Sequence, residues 1–131
     1  MSTIDNVKLL EIPKVHDERG ALAVIEKDTI PFSIKRVYYL YDVPSDSYRG
    51  GHAHKEQESV IIALSGSFEV IVDDGISKRR IVLNKPNQGL YIPIHIWREI
   101  DNFSSGAVCL VLASTNYNEQ EYIRNYSDFK N

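Results

Sequence analysis

The chain has 131 residues, enough for one domain whose core needs neither disulfides nor a structural metal. Its 15 Lys and Arg residues stand against 18 Asp and Glu residues, so no basic field favours nucleic acid or an anionic membrane. The single cysteine, Cys109, excludes an intrachain disulfide, and no run of residues is long and apolar enough to span a membrane. We therefore expect a single domain over residues 1–131 in a reducing cytoplasm, with no nucleic-acid or membrane partner.

Patterns typical of short strands fill the first half of the chain. Residues 7–12 form an apolar segment that ends at Pro13, which suits a sheet edge because proline lacks an N–H donor. A turn signal over residues 17–20 precedes a second predicted strand over residues 21–26. Residues 35–41 are β-branched and aromatic and predict a third strand, with one face formed by Val37, Tyr39 and Tyr41. The opposite face then carries Arg36, Tyr38 and Leu40.

The second half continues in the same way and ends in a helical pattern. The turn over residues 73–75 ends in glycine, which readily adopts the positive φ of a hairpin, and it predicts flanking strands over 67–72 and 78–83. Further strands are predicted over residues 89–93, 96–100 and 107–113. A short helix is predicted from Asn118, with one face formed by Tyr122, Tyr126 and Phe129. The fold class is therefore all-β, an antiparallel jelly roll or β-barrel with a short C-terminal helix and a concave interior that suits a ligand.

Residues 49–64 are the strongest candidate for a functional site. Successive side chains of a strand alternate between its faces, so His52 and His54 point the same way. If the strand continues, the two imidazoles share one apolar wall with Val60, Ile62 and Leu64. The glycines at positions 50 and 51 allow the backbone to bend or to approach a ligand closely. Together with the charged neighbours Arg49 and Glu58, this pattern favours a site over a surface pair of histidines.

Several motifs along the chain are shared with one family. They are DERG at 17–20, PFSIKRVYY at 31–39, RG at 49–50, HAHK at 52–55, DDG at 73–75, GLY at 89–91, Trp97, FSS at 103–105, VLAS at 111–114 and YIRNYSDF at 122–129. With these motifs the chain resembles a cupin, and more narrowly the WxcM-like dTDP-4-keto-6-deoxyglucose 3,4-ketoisomerases. The HxH pair occurs in many cupins, whereas the whole set is specific to this group. The resemblance implies a cupin-type jelly roll that moves a sugar carbonyl from C4 to C3.

The resemblance to cupins also raises the question of a metal. A metal cupin typically takes two histidines and a glutamate from its first motif, here His52, His54 and Glu58, and a third histidine from its second. The residue at that last position is Arg98, whose protonated guanidinium has no lone pair for a metal and repels a cation. His95 stays open as a substitute ligand. We expect that the site holds no metal and that the reaction uses no cofactor.

The resemblance assigns catalysis to His52 and His54. The isomerisation removes the C3 proton, passes through an enediol or enediolate and returns a proton to C4, and imidazole with a pKa of ~6.5 suits both directions. We favour His54 as the base at carbon and His52 as the group that orients it or moves protons between the oxygens. Tyr39 is a candidate donor to the carbonyl oxygen as that oxygen gains charge, with an aromatic core residue as the alternative.

The dTDP group of such a substrate requires cations and aromatic rings. Guanidinium groups bind phosphate oxygens through paired hydrogen bonds, which makes Arg49 and Arg124 candidates, with Arg98 as a third. Arg124 is alternatively a solvated helix residue, and the same alternative holds for Arg36. The candidates for stacking on thymine, or else core residues, are Tyr91 and Trp97.

Three other functions stay open on the sequence. They are a metal-dependent cupin enzyme such as a dioxygenase, a dTDP-sugar 3,5-epimerase that leaves the ketone in place, and a non-catalytic sugar-binding cupin. For the ketoisomerase, the resemblance implies a role in making 3-amino-3,6-dideoxyhexoses for surface polysaccharide such as O-antigen. The turn at Arg19 and Gly20 resembles that of the galacto-forming branch of the family more than that of the gluco-forming branch, and this resemblance implies the galacto product. Exposed sheet edges favour a homodimer.

Overall fold

Two facing antiparallel sheets form the body of the computed structural model, which describes residues 2–130. The first sheet has the strand order β1 (Lys8–Glu11), β9 (Gln88–Ile92), β6 (Ser59–Ser65), β11 (Val108–Ala113) and β4 (Arg36–Leu40). The second has the order β12 (Tyr122–Ile123), β5 (Arg49–His54), β10 (Trp97–Asp101), β7 (Phe68–Asp73) and β8 (Lys78–Leu83). A separate hairpin pairs β2 (Lys14–Asp17) with β3 (Gly20–Ala23), and the described chain ends in α1 (Tyr126–Lys130). The predicted all-β, cupin-type jelly roll with a short C-terminal helix is confirmed.

The main core fills the space between the two sheets. Strand alternation sends Ile61 and Val111 inward from the first sheet and Val70 and Val72 inward from the second. Complete burial of a side chain of this size stabilises the folded state by roughly 1.5–3 kcal/mol. Because Ile61 and Val111 also form part of a cavity floor, the same packing that holds the sheets together supports the site described below.

Two smaller apolar clusters cover the outer faces of the sheets. Val60 and Ile62 of the first sheet pack with Ile30, which belongs to the segment that follows the hairpin. Trp97 of the second sheet packs against Phe129 of α1, with ring centroids 5.9 Å apart. These outward-facing side chains are therefore committed to packing. None of the described helices is long and apolar enough to cross a membrane.

Most predicted strands are found with shifted boundaries. The strand predicted over 35–41 is β4, the hairpin at 73–75 joins β7 to β8, and the apolar run over 107–113 is β11, which lies between β6 and β4. The segment before Pro13 is β1, at the edge of the first sheet as predicted. The second predicted strand is the shorter β3, and its partner β2 was not predicted.

The predicted C-terminal helix differs from the structure. Asn118 does cap a helical turn, because its Oδ1 accepts a hydrogen bond from the backbone N–H of Gln120, but the turn is a single 3₁₀ turn over Glu119–Glu121. The chain then pairs with β5 as β12, and α1 begins only at Tyr126. Helical spacing of aromatic residues was therefore misleading, because Tyr122 and Tyr126 lie on different elements.

The strand that carries the histidines ends at His54. Residues 55–58 turn the chain into β6, which lies in the other sheet. The expectation that Val60 and Ile62 extend the histidine face is therefore wrong, since both lie in the outer cluster. Ile61, one position away, lines the cavity beside His52. Alternation predicts which side chains share a face within one strand. The turn between two strands determines which of their faces lie next to each other.

Candidate active site

A cavity of about 650 Å³ lies next to β5, between the inner faces of the two sheets. Its apolar lining is formed by Leu40, Ile61, Ile100 and Val111. Its basic lining is formed by Arg36, Arg49, Arg98, Arg124 and His52. Among the residues that the structure describes, no acidic side chain lines this cavity. The cavity therefore suits an anionic ligand that also has an apolar part.

A β-bulge at Gly51 brings Arg49 and His52 to the same cavity. The register between β5 and β10 shifts by one residue after the pair of His52 with Arg98. In a regular strand, residues three positions apart point to opposite faces, so the bulge restores a common face. Gly51 has a φ of 67°, and a Cβ at this position would lie 2.8 Å from the hydroxyl oxygen of Tyr48. The positive φ favours glycine here, and a Cβ would in addition displace the Tyr48 hydroxyl.

The imidazoles of His52 and His54 meet edge to face. Their Nε2 atoms are 3.1 Å apart, and their ring centroids are 4.7 Å apart at an interplanar angle of 88°. His52 lines the cavity, whereas His54 lies behind it with no exposed surface. The ring of Tyr122 packs against both imidazoles, at centroid distances of 5.0 and 4.5 Å. In the described structure the two imidazoles therefore pack against each other and against Tyr122.

Glu121 determines which nitrogen of His54 carries the proton. Its Oε1 lies 2.5 Å from Nδ1 of His54, and its Oε2 accepts hydrogen bonds from the backbone N–H groups of Glu56 and Gln57 at 2.9 and 3.1 Å. A carboxylate that accepts three hydrogen bonds assigns the proton to Nδ1 and leaves the Nε2 lone pair facing His52. Burial, together with the charge of Arg98, lowers the pKa of His54 to about 2. His54 is therefore a neutral imidazole, the form that accepts a proton.

Gln57 connects His54 to the cationic part of the cavity. It is fully buried, and its Oε1 accepts hydrogen bonds from Arg36 at 2.8 Å and from Thr115 at 2.9 Å. Its Nε2 donates to Ser59 at 3.0 Å and lies 3.3 Å from Nε2 of His54. One amide thus fixes the position of a guanidinium group relative to the imidazole.

Arg98 is a buried cation on the cavity wall. Its Nε and Nη2 donate to the carbonyl oxygen of Ile96 at 3.3 and 3.1 Å, and its Nη1 donates to Ser59 at 3.3 Å. Burial lowers its pKa to about 10, so the guanidinium stays protonated at neutral pH. In the part of the chain that the structure describes, Arg98 has no carboxylate partner. An anionic ligand, or an oxygen that gains negative charge, would complement it.

The predicted donor Tyr39 does not reach the cavity. It lies on the outward face of β4, 59% exposed, with its ring centroid 6.0 Å from that of Tyr41. Neighbouring side chains of a strand point to opposite faces, and the phenol of β4 that lines the cavity is that of Tyr38. The prediction of Tyr39 as a catalytic residue is therefore corrected.

The predicted stacking residues also lie elsewhere. Tyr91 packs in the outer cluster of the first sheet, and its hydroxyl donates to Glu58 Oε1 at 2.5 Å. Trp97 is buried on the outer face of the second sheet, where its Nε1 donates to Glu99. Each side chain points away from the cavity because its strand neighbour points into the molecule. The prediction that either one stacks on a base is corrected.

The residues that a metal-dependent cupin would use as ligands do not all come together in this structure. Glu58 is bound to Tyr91 rather than directed at the histidine pair. His95 has its ring against Phe129, with centroids 5.4 Å apart. Within residues 2–130 there is no group of three or more His, Cys, Asp or Glu side chains that could hold a metal ion. Glu58 and His95 therefore do not join the histidine pair.

Sequence reasoning found the centre of the cavity and missed its supporting residues. His52, Arg49, Arg98 and Arg124 line the cavity, and His54 lies directly behind it; their chemical roles remain predictions. Glu121 was missed because it lies 67 residues from His54 in the chain, and no local pattern joins them. The alternation of β4 did carry a signal, since it placed an arginine and two apolar residues together on the inward face, Arg36, Tyr38 and Leu40.

Comparison with known proteins agrees with this geometry. The family model described as "FdtA: WxcM-like, C-terminal" matches residues 5–131. The chain belongs to the FdtA family. A curated relative, the TDP-4-oxo-6-deoxy-α-D-glucose-3,4-oxoisomerase of Aneurinibacillus thermoaerophilus, is 48% identical over 124 residues, which are 94% of this chain and 89% of the relative.

Solved structures similar to this FdtA family member include two ketoisomerases. A 3,4-ketoisomerase from Helicobacter canadensis is 50% identical with a TM-score of 0.92, and the match covers 95% of each chain. A mutant of the 3,4-ketoisomerase QdtA from Thermoanaerobacterium thermosaccharolyticum, in complex with TDP-4-keto-6-deoxyglucose, is 43% identical with a TM-score of 0.95 and coverage of 98% and 94%. The RmlC epimerase of Mycobacterium tuberculosis, at 16% identity, a TM-score of 0.78 and coverage of 93% and 70%, shows the fold alone.

Proposed function

We propose that this protein is a 3,4-ketoisomerase that converts dTDP-4-keto-6-deoxy-D-glucose to a dTDP-3-keto-6-deoxyhexose. The observation that carries the proposal is the neutral imidazole of His54, fixed by Glu121 and in contact with His52 at the wall of a cationic cavity. The 48% identity to a relative named for this reaction supports the same substrate and the same reaction.

The proposed reaction moves one proton between carbons and one between oxygens. A base removes the proton from C3, the electrons of that C–H bond form a C3–C4 double bond, and the C4 carbonyl oxygen becomes an enediolate oxygen. A proton is then returned to C4, the C4 oxygen takes up a proton and becomes a hydroxyl, and the C3 hydroxyl loses its proton and becomes the new carbonyl. Substrate and product have the same oxidation level, so the reaction needs no external electron acceptor.

We propose that the two histidines divide these transfers. His54 is the base at carbon, because its Nε2 lone pair is held in the neutral state, and His52 moves the proton between the oxygens. Since His52 lies between His54 and the cavity, its imidazole must turn out of the Nε2 contact for the sugar to reach His54. Arg98 is positioned to stabilise the enediolate oxygen, and Tyr38, which lines the same cavity, replaces Tyr39 as the candidate phenol donor.

We propose that the arginines nearer the cavity mouth bind the dTDP group. Arg49 lies on β5 beyond the bulge, and Arg124 is 52% exposed on the segment after β12. Both line the cavity, and both offer guanidinium donors to phosphate oxygens. The phenols Tyr48 and Tyr117 line the cavity and are more than half exposed, so they replace Tyr91 and Trp97 as candidates for contact with thymine.

The experiment that tests the proposal is NMR of the product formed from dTDP-4-keto-6-deoxy-D-glucose. We expect the carbonyl carbon signal to move from C4 to C3, with deuterium from the solvent incorporated at carbon. A product that keeps the C4 ketone and exchanges protons at C3 and C5 would instead show a 3,5-epimerase. No change in the substrate, despite binding of dTDP, would show a non-catalytic sugar-binding protein.

Chelation separates the metal-dependent alternative from this proposal. We expect turnover to persist after exhaustive treatment with a chelator, because Glu58 and His95 do not converge on the histidine pair and Arg98 occupies the wall beside it. Loss of turnover that one added metal restores would favour the metal-dependent enzyme.

Four further features are proposed with the function. The galacto product follows from the resemblance at the turn of Arg19 and Gly20, and the H4–H5 coupling in the product NMR spectrum tests it. A homodimer is supported by apolar side chains that the hairpin and β4 leave exposed, Val15, Leu22 and Val37, and light scattering tests it. A cytoplasmic location is supported by the free buried thiol of Cys109. A role in making surface polysaccharide rests on the sugar class alone.

A further inference from the structure

An ion pair between Arg124 and Glu119 stands at the mouth of the cavity. Nε and Nη2 of Arg124 donate to Oε1 and Oε2 of Glu119 at 2.5 and 2.9 Å. The guanidinium carbon lies 4.3 Å from the ring centroid of Tyr122, and the hydroxyl of Tyr117 donates to Glu119 Oε2 at 2.6 Å. Glu119 therefore occupies two donors of an arginine that the proposed function assigns to the diphosphate.

The other cavity arginines have no comparable competitor in the described structure. Arg36 donates to the amide oxygen of Gln57, and Arg98 donates to a carbonyl oxygen and to a hydroxyl. Among the described residues, Arg124 is the only arginine lining the cavity that has a carboxylate partner. A guanidinium group offers the same fork of donors to a carboxylate as to a phosphate, so the two acceptors compete directly for Arg124.

We propose that Glu119 weakens the binding of the nucleotide diphosphate by holding Arg124 in the empty site, so that the phosphates must compete with a carboxylate for this guanidinium. This inference rests on the proposed function, since it takes dTDP as the anionic group of the ligand. It assigns to Glu119 a role in setting affinity, although the residue does not itself line the cavity.

The charge of Glu119 persists over the working pH range. The hydrogen bonds from Arg124 and Tyr117 lower the pKa of Glu119 to about 2, so it stays ionised near neutral pH. Substrate and product carry the same dTDP group, so the phosphates of both compete with Glu119 for Arg124. Glu119 therefore acts on binding and on product release, and since its charge also interacts with that of His52, dTDP binding rather than turnover is the property to measure.

The test compares the dissociation constant of dTDP for the wild type and for Glu119→Gln by isothermal titration calorimetry. Glutamine keeps the size of the side chain and removes its charge. We expect dTDP to bind about two- to fivefold more tightly to Glu119→Gln, in line with the modest strength of exposed ion pairs. Stopped-flow displacement should show slower dissociation of dTDP by a similar factor.

Two controls separate competition for Arg124 from a general change in charge. Glu26→Gln changes the net charge equally at an exposed position outside the cavity lining, and we expect no tightening. In an Arg124→Met background, Glu119→Gln should change the dissociation constant by less than about 1.5-fold, because the competed donor is gone. Tightening of similar size in either control would overturn the proposal.

Two other results would separate failure of this inference from failure of the proposed function. Equal or weaker binding of dTDP to Glu119→Gln would overturn the inference and show that Glu119 instead orients Arg124 for binding; the proposed function would stand. If the wild type bound no dTDP at millimolar concentration and isomerised no dTDP-sugar, the proposed function itself would fail, and this inference with it.

Discussion

The chemistry that His54 can perform is determined by its contacts rather than by imidazole alone. A free imidazole has a pKa of ~6.5 and is partly protonated near neutrality. Burial and neighbouring arginines lower the pKa of His54, and Glu121 holds its proton on Nδ1. The lone pair on Nε2 is therefore available across the neutral range. A proton taken from the substrate makes a buried cation next to Arg98, which favours its rapid return to the substrate at C4.

Replacing each histidine in turn tests this division of labour. His54→Asn keeps hydrogen bonding but leaves no group able to accept a proton near neutral pH, so turnover should fall by at least the ~10²–10⁴ that a general base contributes. His52→Asn should slow turnover but leave slow exchange of solvent deuterium into C3. The measurement is deuterium incorporation at C3 by NMR for both variants. Normal exchange in His54→Asn would move the base to His52, and normal exchange in both would remove the pair from the chemistry.

Glu121 should raise kcat by holding His54 in the orientation and tautomer described above. Glu121→Gln places an amide beside Nδ1, so the amide nitrogen can donate to Nδ1 and favour the opposite tautomer. We expect kcat to fall at least ~10-fold with little change in KM, because no contact between Glu121 and the cavity is lost. The ¹⁵N chemical shifts of His54 should show the proton moving from Nδ1 to Nε2. A reduced kcat with unchanged ¹⁵N shifts would contradict the role in orientation and indicate general loss of structure.

At the scale of the element, the bulge in β5 connects the histidine motif to nucleotide binding. Gly51 adopts a left-handed backbone conformation that allows Arg49 and His52 to share the inner face. Gly51→Ala should destabilise the protein by about 1–2 kcal/mol, because a Cβ is strained at this φ. It should also raise KM for the dTDP-sugar, since any relaxation of the bulge turns Arg49 away from the cavity. Urea unfolding and steady-state kinetics measure the two effects.

Gly106→Ala provides the matched control for Gly51→Ala. Gly106 has a φ of 75°, and a Cβ there would have no neighbouring atom within 4 Å. It should therefore lose comparable stability from backbone strain while its KM stays at the wild-type value. A rise in KM in both variants would show that the kinetic effect follows from lower stability rather than from the bulge.

The sequence predicts the elements better than it predicts how they meet. Alternation in residues 35–41 separated the inward and outward faces of β4 correctly, but it could not show which face borders the cavity, so Tyr39 was chosen in place of Tyr38. The HxH spacing placed both imidazoles on one face, whereas the apolar wall that meets them comes from another sheet. The partner of His54 is Glu121, and only the tertiary fold brings a residue 67 positions away within hydrogen-bond distance.

At the scale of the whole molecule, the site concentrates positive charge that the protein neutralises only in part, since Arg124 is the one cavity arginine with a carboxylate partner among the described residues. Four arginines line one cavity, and the buried His54 remains neutral behind them. Desolvation of a cation without a carboxylate partner opposes folding, and an anion bound only to the native state adds stability by mass action. The same arrangement makes the stability of the empty protein depend on pH through His54.

The sign of that dependence follows from the two pKa values of His54. In the unfolded chain the pKa is ~6.5, whereas in the folded protein it is lowered to about 2. Between these values the unfolded state binds more protons, so the free energy of unfolding falls as the pH decreases below ~6.5, by up to ~1.4 kcal/mol per pH unit from this group. Above ~6.5 His54 is neutral in both states and contributes no pH dependence.

Urea unfolding at pH 7 and pH 5 should reveal this contribution as a difference between variants. The wild type should lose about 1–2 kcal/mol more stability over this range than His54→Gln, which has no titrating group at position 54. The control is His16→Asn, because His16 is exposed on the hairpin, and its loss of stability between the two pH values should match that of the wild type. If His54→Gln does not fold, ¹⁵N shifts of His54 in the wild type replace the comparison, and they should stay those of a neutral imidazole at pH 5. A protonated His54 at pH 5, or equal slopes for wild type and His54→Gln, would contradict the lowered pKa and with it the view that His54 is held ready as a base.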